Sequence, residues 1–259
     1  MNNHEVVSVV IIALWKADKL IDLVASIMPQ LSADDEILIV VEQPVAGVPS
    51  NMTREVAQEI ARQVPIARVV TSEKRGKNAG FEQAIRSSKG EIVFLAEPGD
   101  IWKPEKVSSV LSTSTTSGAA LVLHDTELFV PKLERHYPSF FSMAGDKSEI
   151  TVQNVRYTFM GSCMAFRKPL HEFFLPFPDD AVVYGQWIGL VAEKYGGVAL
   201  LTKNLAVKTI DEENDLLSIV ANLNAQKGEQ KRLLKVLKKR EKELMAHLRQ
   251  LENRQKDKK

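Results

Sequence analysis

The stretch Gly90-Glu-Ile-Val-Phe-Leu-Ala-Glu-Pro-Gly-Asp-Ile-Trp-Lys-Pro-Glu-Lys-Val107 decides the fold. Its first part, residues 91–95, is short and almost entirely apolar, which predicts a buried strand. Two acids, Glu97 and Asp100, follow in a turn, and residues 104–113 then predict a helix. This order places acidic side chains beyond the carboxyl end of a strand, where open α/β sheets bind ligands.

The same alternation of strand and helix extends on both sides of this stretch. Short apolar segments predict four further strands, and amphipathic segments predict three further helices. The strands are predicted at 6–14, 36–41, 67–71 and 119–123, and the helices at 19–31, 52–63 and 80–88. Strands that alternate with helices form βαβ units. We therefore predict an α/β fold with a Rossmann-like, mainly parallel sheet and helices on both faces.

The composition is that of a globular protein. The 259 residues are 44% hydrophobic and 26% charged, with a net charge of +1. The longest apolar run, residues 6–14, is shorter than the roughly 20 residues of a membrane span, and no positively charged segment precedes it as in a signal peptide. The single cysteine, Cys163, excludes an internal disulfide and a cysteine-rich zinc site. We expect a cytoplasmic protein.

The charge is divided unevenly along the chain. Residues 227–259 contain 13 basic and 5 acidic residues, a net charge of +8, which leaves residues 1–226 with 21 basic and 28 acidic residues, a net charge of −7. An acidic body with a basic tail indicates two parts with different roles. We predict one domain over residues 1–210 and a basic, amphipathic helical extension, a predicted coiled coil, over 211–259.

Five blocks of the body resemble the inverting, nucleotide-sugar-dependent glycosyltransferases of family 2, in their rhamnosyltransferase-like branch. They are Val7-Ser-Val-Val-Ile-Ile12, Gly76 with Phe81-Glu-Gln-Ala-Ile85, the stretch 90–107, Phe159-Met-Gly-Ser-Cys-Met-Ala-Phe-Arg167, and Leu175-Pro-Phe-Pro178 with Trp187 and Gly196. The resemblance implies a GT-A fold, with a nucleotide-binding half joined to an acceptor-binding half. It also implies a role in the synthesis of bacterial-type surface polysaccharides.

The family's metal site is altered here. The resemblance implies an Asp-x-Asp motif that holds Mg²⁺ or Mn²⁺, hard cations that prefer carboxylate oxygens. Its three positions are Glu97, Pro98 and Gly99, followed by Asp100. Glycine has no side chain to ligate with, so only Glu97 and Asp100 remain as metal ligands. We expect no cofactor, and Mg²⁺ or Mn²⁺ only if the protein is active.

The family's general base is also absent. The resemblance places it in a His-Asp-x-Trp motif, which reads Tyr184-Gly185-Gln186-Trp187 in this chain. The base deprotonates the attacking hydroxyl group, and glycine has no atom that can do so. Asp179 and Asp180 are the nearby substitutes, although a Pro-Asp-Asp turn explains them equally well.

Two further positions bear on donor binding. Where the resemblance implies Asp-Asp-Gly-Ser for base and ribose, residues 41–44 read Val-Glu-Gln-Pro, so that only Glu42 is available. Where it implies Tyr-Arg-x-His near the diphosphate, residues 207–210 read Val-Lys-Thr-Ile, so that only Lys208 is basic. The basic turn 74–77 either faces phosphates or is solvated.

The acceptor pocket is the remaining part of the predicted site. The resemblance assigns four residues to it, which are Asp125, Gly161, Ser162 and Trp187. Asp125 either lines this pocket or caps the segment that follows it.

The site has therefore lost chemical groups while apolar residues that shape the cleft remain. This pattern predicts a catalytically degenerate glycosyltransferase, since a fold and its chemistry are separable. The alternative is an active inverting glycosyltransferase in which Glu42, Glu97 and Asp100 have taken over the missing roles.

Apolar residues follow heptad spacing in the tail, which predicts a helix with an apolar stripe. From residue 230 onwards the assembly candidates are Leu234, Leu237, Leu244, Leu248 and Leu251. The helix either pairs with a second copy or an active glycosyltransferase, lies on an anionic membrane at the inner face of the cytoplasmic membrane, or folds back on the body. We expect no nucleic-acid binding, because no aromatic residues are interleaved with the basic ones.

Overall fold

A computed structural model describes residues 5–13, 16–43, 52–74, 76–144, 159–178, 184–211, 231–240 and 242. The strands are β1 (Val7–Ile12), β2 (Glu36–Glu42), β3 (Ala67–Ser72), β4 (Ile92–Ala96), β5 (Asp100–Trp102), β6 (Leu121–Val130), β7 (Arg135–Tyr137), β8 (Met164–Arg167) and β9 (Val198–Thr209). The helices are α1 (Ala17–Ile27), α2 (Met52–Gln63), α3 (Lys77–Ser87), α4 (Lys106–Ser117), α5 (Phe140–Ala144), α6 (His171–Phe174), α7 (Tyr184–Tyr195) and α8 (231–240).

One sheet contains all of these strands. Its order is β3-β2-β1-β4-β8-β6-β9-β5, and β7 pairs with β6 beside this path. The four strands β3, β2, β1 and β4 are parallel, as βαβ units require. The other half is mixed, because β8 runs antiparallel to both β4 and β6, and β5 runs antiparallel to β9. The predicted parallel sheet is therefore confirmed for the first half, whereas the second half mixes both directions.

The apolar residues of the strands pack on both faces of the sheet. In β1, Val9 and Ile11 contact the layer of α1, α2 and α4, while Val10 and Ile12 contact the layer of α3 and α7. Every residue of β1 is buried. This explains why the strand reads as a continuous apolar run rather than an alternating one, and it confirms the prediction of helices on both faces.

The fifth predicted strand, 119–123, is longer in the structure, where β6 covers Leu121–Val130. The sequence prediction stopped at Leu123, because the next residues are polar. His124, Asp125 and Thr126 are nevertheless buried, since β6 pairs along its length with β9.

The described part of the tail forms α8, which packs against the body. Leu233 and Leu237 are buried and join the core on the α7 side, and the guanidinium of Arg240 lies 5.0 Å from the ring centroid of Trp187. Leu234 faces outwards and is 38% exposed. The assembly candidates Leu244, Leu248 and Leu251 lie outside the described residues. Of the described helices, none is long and apolar enough to cross a membrane.

Candidate functional site

The turn between β4 and β5 carries Glu97 and Asp100, the two acids that the sequence analysis considered as metal ligands. The backbone N–H of Glu97 donates to Oδ2 of Asp100 over 3.0 Å, and the N–H of Asp100 donates to the Glu97 carbonyl over 3.1 Å. Gly99 has a φ of 103°, a backbone conformation that favours glycine. These bonds fix both carboxyl groups at the carboxyl end of β4, as the sequence predicted.

Lys208 of β9 lies between these two carboxylates. Its backbone is the register partner of Asp100, because β5 and β9 are antiparallel neighbours. The ammonium Nζ is 2.8 Å from Oδ1 of Asp100, 3.4 Å from Oε2 of Glu97 and 3.4 Å from Oγ of Ser162. An ammonium has three N–H donors, and the three neighbours supply one acceptor for each.

A second cation and a phenol reach the other oxygen of Glu97. Lys77, the first residue of α3, forms an ion pair with Oε1 at 2.5 Å. The hydroxyl group of Tyr184, the first residue of α7, donates to the same Oε1 over 2.7 Å. The ring of Tyr184 packs on Phe81 with centroids 4.5 Å apart. Glu97 thus joins three elements that are far apart in the sequence.

The ion pairs shift the pKa values of the cluster. Burial alone would raise the pKa of Glu97, but the charges of Lys77 and Lys208 outweigh it and hold this pKa well below its ordinary value. Burial alone would lower the pKa of Lys208, but Asp100 and Glu97 hold it well above its ordinary value. Burial and the nearby Glu97 raise the pKa of Tyr184. Glu97 and Lys208 therefore stay charged, and the phenol of Tyr184 stays protonated.

The donor set does not fit a divalent cation. All four carboxylate oxygens of Glu97 and Asp100 already accept a bond from Lys77, Tyr184, Lys208, Ser162 or the Glu97 N–H. Mg²⁺ demands oxygens at about 2.0–2.1 Å, and an ammonium 2.8 Å from Asp100 stands in that space. Within the described residues, no group of three or more His, Cys, Asp or Glu side chains could hold a metal.

Gly185, where the resemblance in sequence implies the general base, is closed in by backbone. A Cβ atom at Gly185 would lie 2.2 Å from the carbonyl oxygen of Phe159 and 2.9 Å from the N of Gly161. A Cβ atom at Gly161 would in turn lie 2.0 Å from the ring of Tyr184. The start of α7 therefore rests directly on residues 159–161, and no side chain of any kind fits at position 185 without moving it.

The segment after Gly161 contacts a buried lysine. Lys106 is fully buried, donates to the carbonyl of Ser162 over 3.1 Å, and lies 4.0 Å from the ring centroid of Trp102. Burial lowers its pKa to about 8. Cys163 is buried and free, and burial raises its pKa to about 12, which makes it unreactive.

Asp125 caps a helix instead of lining a pocket. Its Oδ1 accepts bonds from the N–H groups of Thr126 (2.8 Å) and Phe141 (3.0 Å), and Oδ2 accepts one from the hydroxyl of Ser139, at the start of α5. Asp125 as a whole is buried, with 3% of its surface exposed. Of the two roles that the sequence left open, the structure shows the capping one.

Trp187 does not line the acceptor pocket either. It is fully buried, and its Nε1–H donates to the carbonyl of Phe174 over 2.7 Å. Its place in α7 orients the ring into the core shared with α6 and α8, away from Gly185. The prediction of an acceptor contact for Trp187 is therefore corrected to a packing role.

The remaining donor candidate, Glu42, lies at the end of β2. Its Oε1 accepts a bond over 3.0 Å from the N–H of Gly76, the residue before α3. Glu42 thus holds the loop that presents Lys77 to Glu97. The substitute bases Asp179 and Asp180 lie outside the described residues.

Sequence reasoning missed two members of the cluster. Lys77 stood in the basic turn 74–77, which the sequence could not distinguish from a solvated loop, and Tyr184 was noted only as the replacement of a histidine. No local pattern marked either residue, because what they share is a position in the folded chain: each begins a helix and contacts Glu97.

The sheet, the acids at the β4–β5 turn and the mixed second half define a GT-A-like glycosyltransferase fold. Among the solved structures that share this fold are the following three. S. aureus TarS in complex with UDP-GlcNAc has a TM-score of 0.62 at 17% identity, covering 82% of this chain and 61% of its own. The mannosyltransferase PcManGT from Pyrobaculum calidifontis, in complex with GDP-Man and Mn²⁺, has a TM-score of 0.64 at 15% identity. The match covers 88% of this chain and 65% of PcManGT. Glucosyl-3-phosphoglycerate synthase from Mycobacterium tuberculosis, with Mn²⁺ and UDP, has a TM-score of 0.59 at 17% identity. The match covers 87% of this chain and 80% of the synthase.

The chain belongs to glycosyltransferase family 2. The family model described as "Glycosyltransferase like family 2" matches residues 4–173. An uncharacterized glycosyltransferase of Nostoc sp. is 23% identical over 214 residues, which cover 78% of this chain and 64% of the relative. The chain therefore spans about two thirds of the length of that relative.

Proposed function

We propose that this chain is a catalytically degenerate family 2 glycosyltransferase, which retains the donor cleft and serves as a subunit beside an active glycosyltransferase. One observation carries the proposal. The start of α7 rests on the backbone of residues 159–161, so that Gly185 has no space for a side chain where the family resemblance implies the general base.

The acids that remain in the cleft are poor bases. A general base works best when its pKa lies near the working pH. The pKa of Glu97 is held far below that range by Lys77 and Lys208, and its oxygens are already occupied. Asp100 is 1% exposed and is paired with Lys208. The lowered pKa makes Glu97 a poor base for a sugar hydroxyl, and Asp100 is held by its ion pair away from solvent.

The alternative is an active enzyme that uses Glu42, Glu97 and Asp100. Of these, Glu42 is bonded to the Gly76 N–H, and the other two are neutralised by lysine. The geometry therefore favours the degenerate protein. Asp179 and Asp180 remain as substitutes, and the experiment below includes them.

The finer features of the proposal rest on the sequence. The rhamnosyltransferase-like branch and the role in surface polysaccharide synthesis follow from the five blocks quoted above. A cytoplasmic location, with or without a peripheral place at the membrane, follows from the composition and the basic tail. The partner is an active glycosyltransferase or a second copy, bound through the tail helix.

The test is a transfer assay with the full chain. UDP- and GDP-linked sugars are incubated with the protein, with Mn²⁺ and with EDTA, and the release of nucleoside diphosphate is followed by chromatography. We expect no release above that of the protein-free control. Release or transfer by the wild type would contradict the proposal. If it occurred, its loss in Asp179→Asn/Asp180→Asn would identify the substitute base.

Assembly is tested at Leu234, the exposed leucine of α8. If the tail binds a second copy, Leu234→Ser lowers the mass seen by light scattering, whereas Lys238→Ser, a neighbouring exposed position, leaves it unchanged. Sedimentation with vesicles of anionic lipid tests the membrane alternative. A wild type that stays monomeric and does not sediment leaves two alternatives, a different protein as the partner or a tail that only folds back on its own body, as Leu233 and Leu237 do.

A further inference from the structure

We propose that Lys208 is the resident cation of this cleft. In this view its ammonium takes the place that a divalent metal has in the Mn²⁺-bound structures of the same fold, keeps Mg²⁺ and Mn²⁺ out, and meets the diphosphate of a nucleotide together with Lys77. The diphosphate contact rests on the proposed function, that is, on a retained donor cleft. The exclusion of metal does not.

The position of Lys208 is set by the backbone. Lys208 and Asp100 are register partners in the antiparallel pair of β9 and β5, and the Thr209 N–H donates to the Gly99 carbonyl over 2.8 Å on the same ladder. The side chain is 15% exposed, whereas that of Asp100 is 2% exposed. Moving the ammonium away would leave a buried carboxylate without its counter-charge, which is strongly unfavourable. The lysine is thus a fixed part of the site.

The carboxylates have no free oxygen for a metal. Oδ1 of Asp100 and Oε2 of Glu97 both point to Lys208, while Oδ2 and Oε1 are taken by the Glu97 N–H and by Lys77 with Tyr184. A dication that bound Oδ1 of Asp100 or Oε2 of Glu97 would also lie close to the Lys208 ammonium, and the two positive charges would repel each other. The two lysines balance the two carboxylates, so that no negative charge is left to attract a metal.

A diphosphate is the ligand that fits this arrangement. Lys77 is 32% exposed and can turn from Glu97 to a ligand in the cleft. It stands at the first position of α3, a helix of 11 residues, whose N-terminus carries a partial positive charge. Lys208 and the buried Lys106 add positive charge behind it. Three lysines against the two carboxylates leave a surplus of positive charge in this part of the cleft, so that a nucleoside diphosphate is attracted and needs no bound metal.

The first experiment is a binding titration of the full chain with UDP and with GDP, in EDTA and in Mn²⁺. We expect the two conditions to give dissociation constants within about twofold of each other. Lys208→Met keeps the aliphatic stem without the charge and should weaken binding at least tenfold, and Lys77→Met at least fivefold. Lys203→Met is the matched control, because Lys203 lies on the same strand, is 52% exposed and contacts only Glu105 among the ion pairs identified. It should bind as the wild type does.

The second experiment measures Mn²⁺ binding without nucleotide, from the electron paramagnetic resonance signal of free Mn²⁺. The wild type should leave the signal unchanged, and Lys208→Met should reduce it, because Glu97 and Asp100 then lack their counter-charge. Mn²⁺ binding by the wild type that Glu97→Gln/Asp100→Asn abolishes would overturn the proposal. So would a tenfold or greater tightening of nucleotide binding by Mn²⁺.

The two proposals fail differently. Sugar transfer in EDTA would contradict the degenerate function and support the resident cation. Absence of UDP and GDP binding in every condition would overturn the diphosphate contact, while the Mn²⁺ measurement would still decide whether the lysine excludes metal. If Lys208→Met does not fold, Lys208→Arg, which keeps the charge, replaces it and should retain nucleotide binding in EDTA.

Discussion

The two halves of the sheet are stabilised in different ways. The half made of β3, β2, β1 and β4 is held by apolar side chains on both faces, and β1 is buried throughout. The edge where the β4–β5 turn, β9 and α7 meet is held by charges, since Asp100 and Lys106 are buried there and Glu97 has two lysine partners. Burial of apolar surface stabilises the first half. In the second half, each buried charge is compensated by an opposite charge beside it.

The largest effect is expected in the apolar half. Phe94 of β4 is fully buried, and its ring lies 5.5 Å from that of Trp102. Phe94→Ala should lower the free energy of unfolding by about 3–5 kcal/mol, because the removed ring leaves a cavity. Urea denaturation of both proteins measures the difference. Phe129→Ala is the control, because this residue is 39% exposed, and it should cost less than about 1 kcal/mol. Equal losses for the two variants would show that burial of the ring does not determine the loss of stability.

The same contrast explains what could be predicted from the sequence. The strands of the first half are runs of β-branched residues, and their helices have apolar positions at regular spacing, so both were predicted locally. The second half depends on pairs such as Lys208 with Asp100 and Tyr184 with Glu97, which are 108 and 87 residues apart. No local pattern specifies which strands are neighbours, and the register of β5 with β9 decides the pairing.

The candidate site was predicted in part for the same reason. The motif positions located Glu97, Asp100 and Lys208, but a motif does not tell whether two acids bind a metal or an ammonium. The missing side chain at Gly185 was visible in the sequence, whereas the contact with the Phe159 carbonyl that prevents one was not. Trp187 and Asp125 were assigned to a pocket because packing and capping residues lie in the same motifs as residues that touch a ligand.

The second prediction concerns the charged edge. Asp100→Ala should destabilise the protein by about 3 kcal/mol, because it leaves Lys208 with Glu97 alone in a largely buried place. Asp100→Ala/Lys208→Met should cost less than the single change, since no unpaired charge remains. A double-mutant cycle completed with Lys208→Met, measured by urea denaturation, gives the coupling free energy. Additive losses would mean that the ion pair contributes nothing.

The third prediction concerns the close contact at the start of α7. Gly185→Ala places a methyl group 2.2 Å from the Phe159 carbonyl oxygen, and it should lower the free energy of unfolding by about 2 kcal/mol as the helix moves outwards. Alanine is otherwise the better helix former, so a stabilised variant would show that the contact is absent. Lys194→Ala, at an exposed position of the same helix, should change stability by less than about 0.5 kcal/mol.

The smallest effect is expected in the pH dependence of the charged edge. The pKa of Glu97 is lower in the folded state than in the unfolded state, because Lys77 and Lys208 favour its ionised form. Its contribution is therefore complete above the unfolded pKa, near 4.3, and is lost as the pH falls further through the folded value. The difference in unfolding free energy between wild type and Glu97→Gln should shrink from pH 5 to pH 3 by about 1 kcal/mol. Glu59→Gln, which removes only an exposed pair with Arg62, provides the control, because an exposed ion pair contributes little at any pH. A difference for Glu97→Gln that stays constant or grows over this range would show that the lysines do not stabilise the ionised carboxylate.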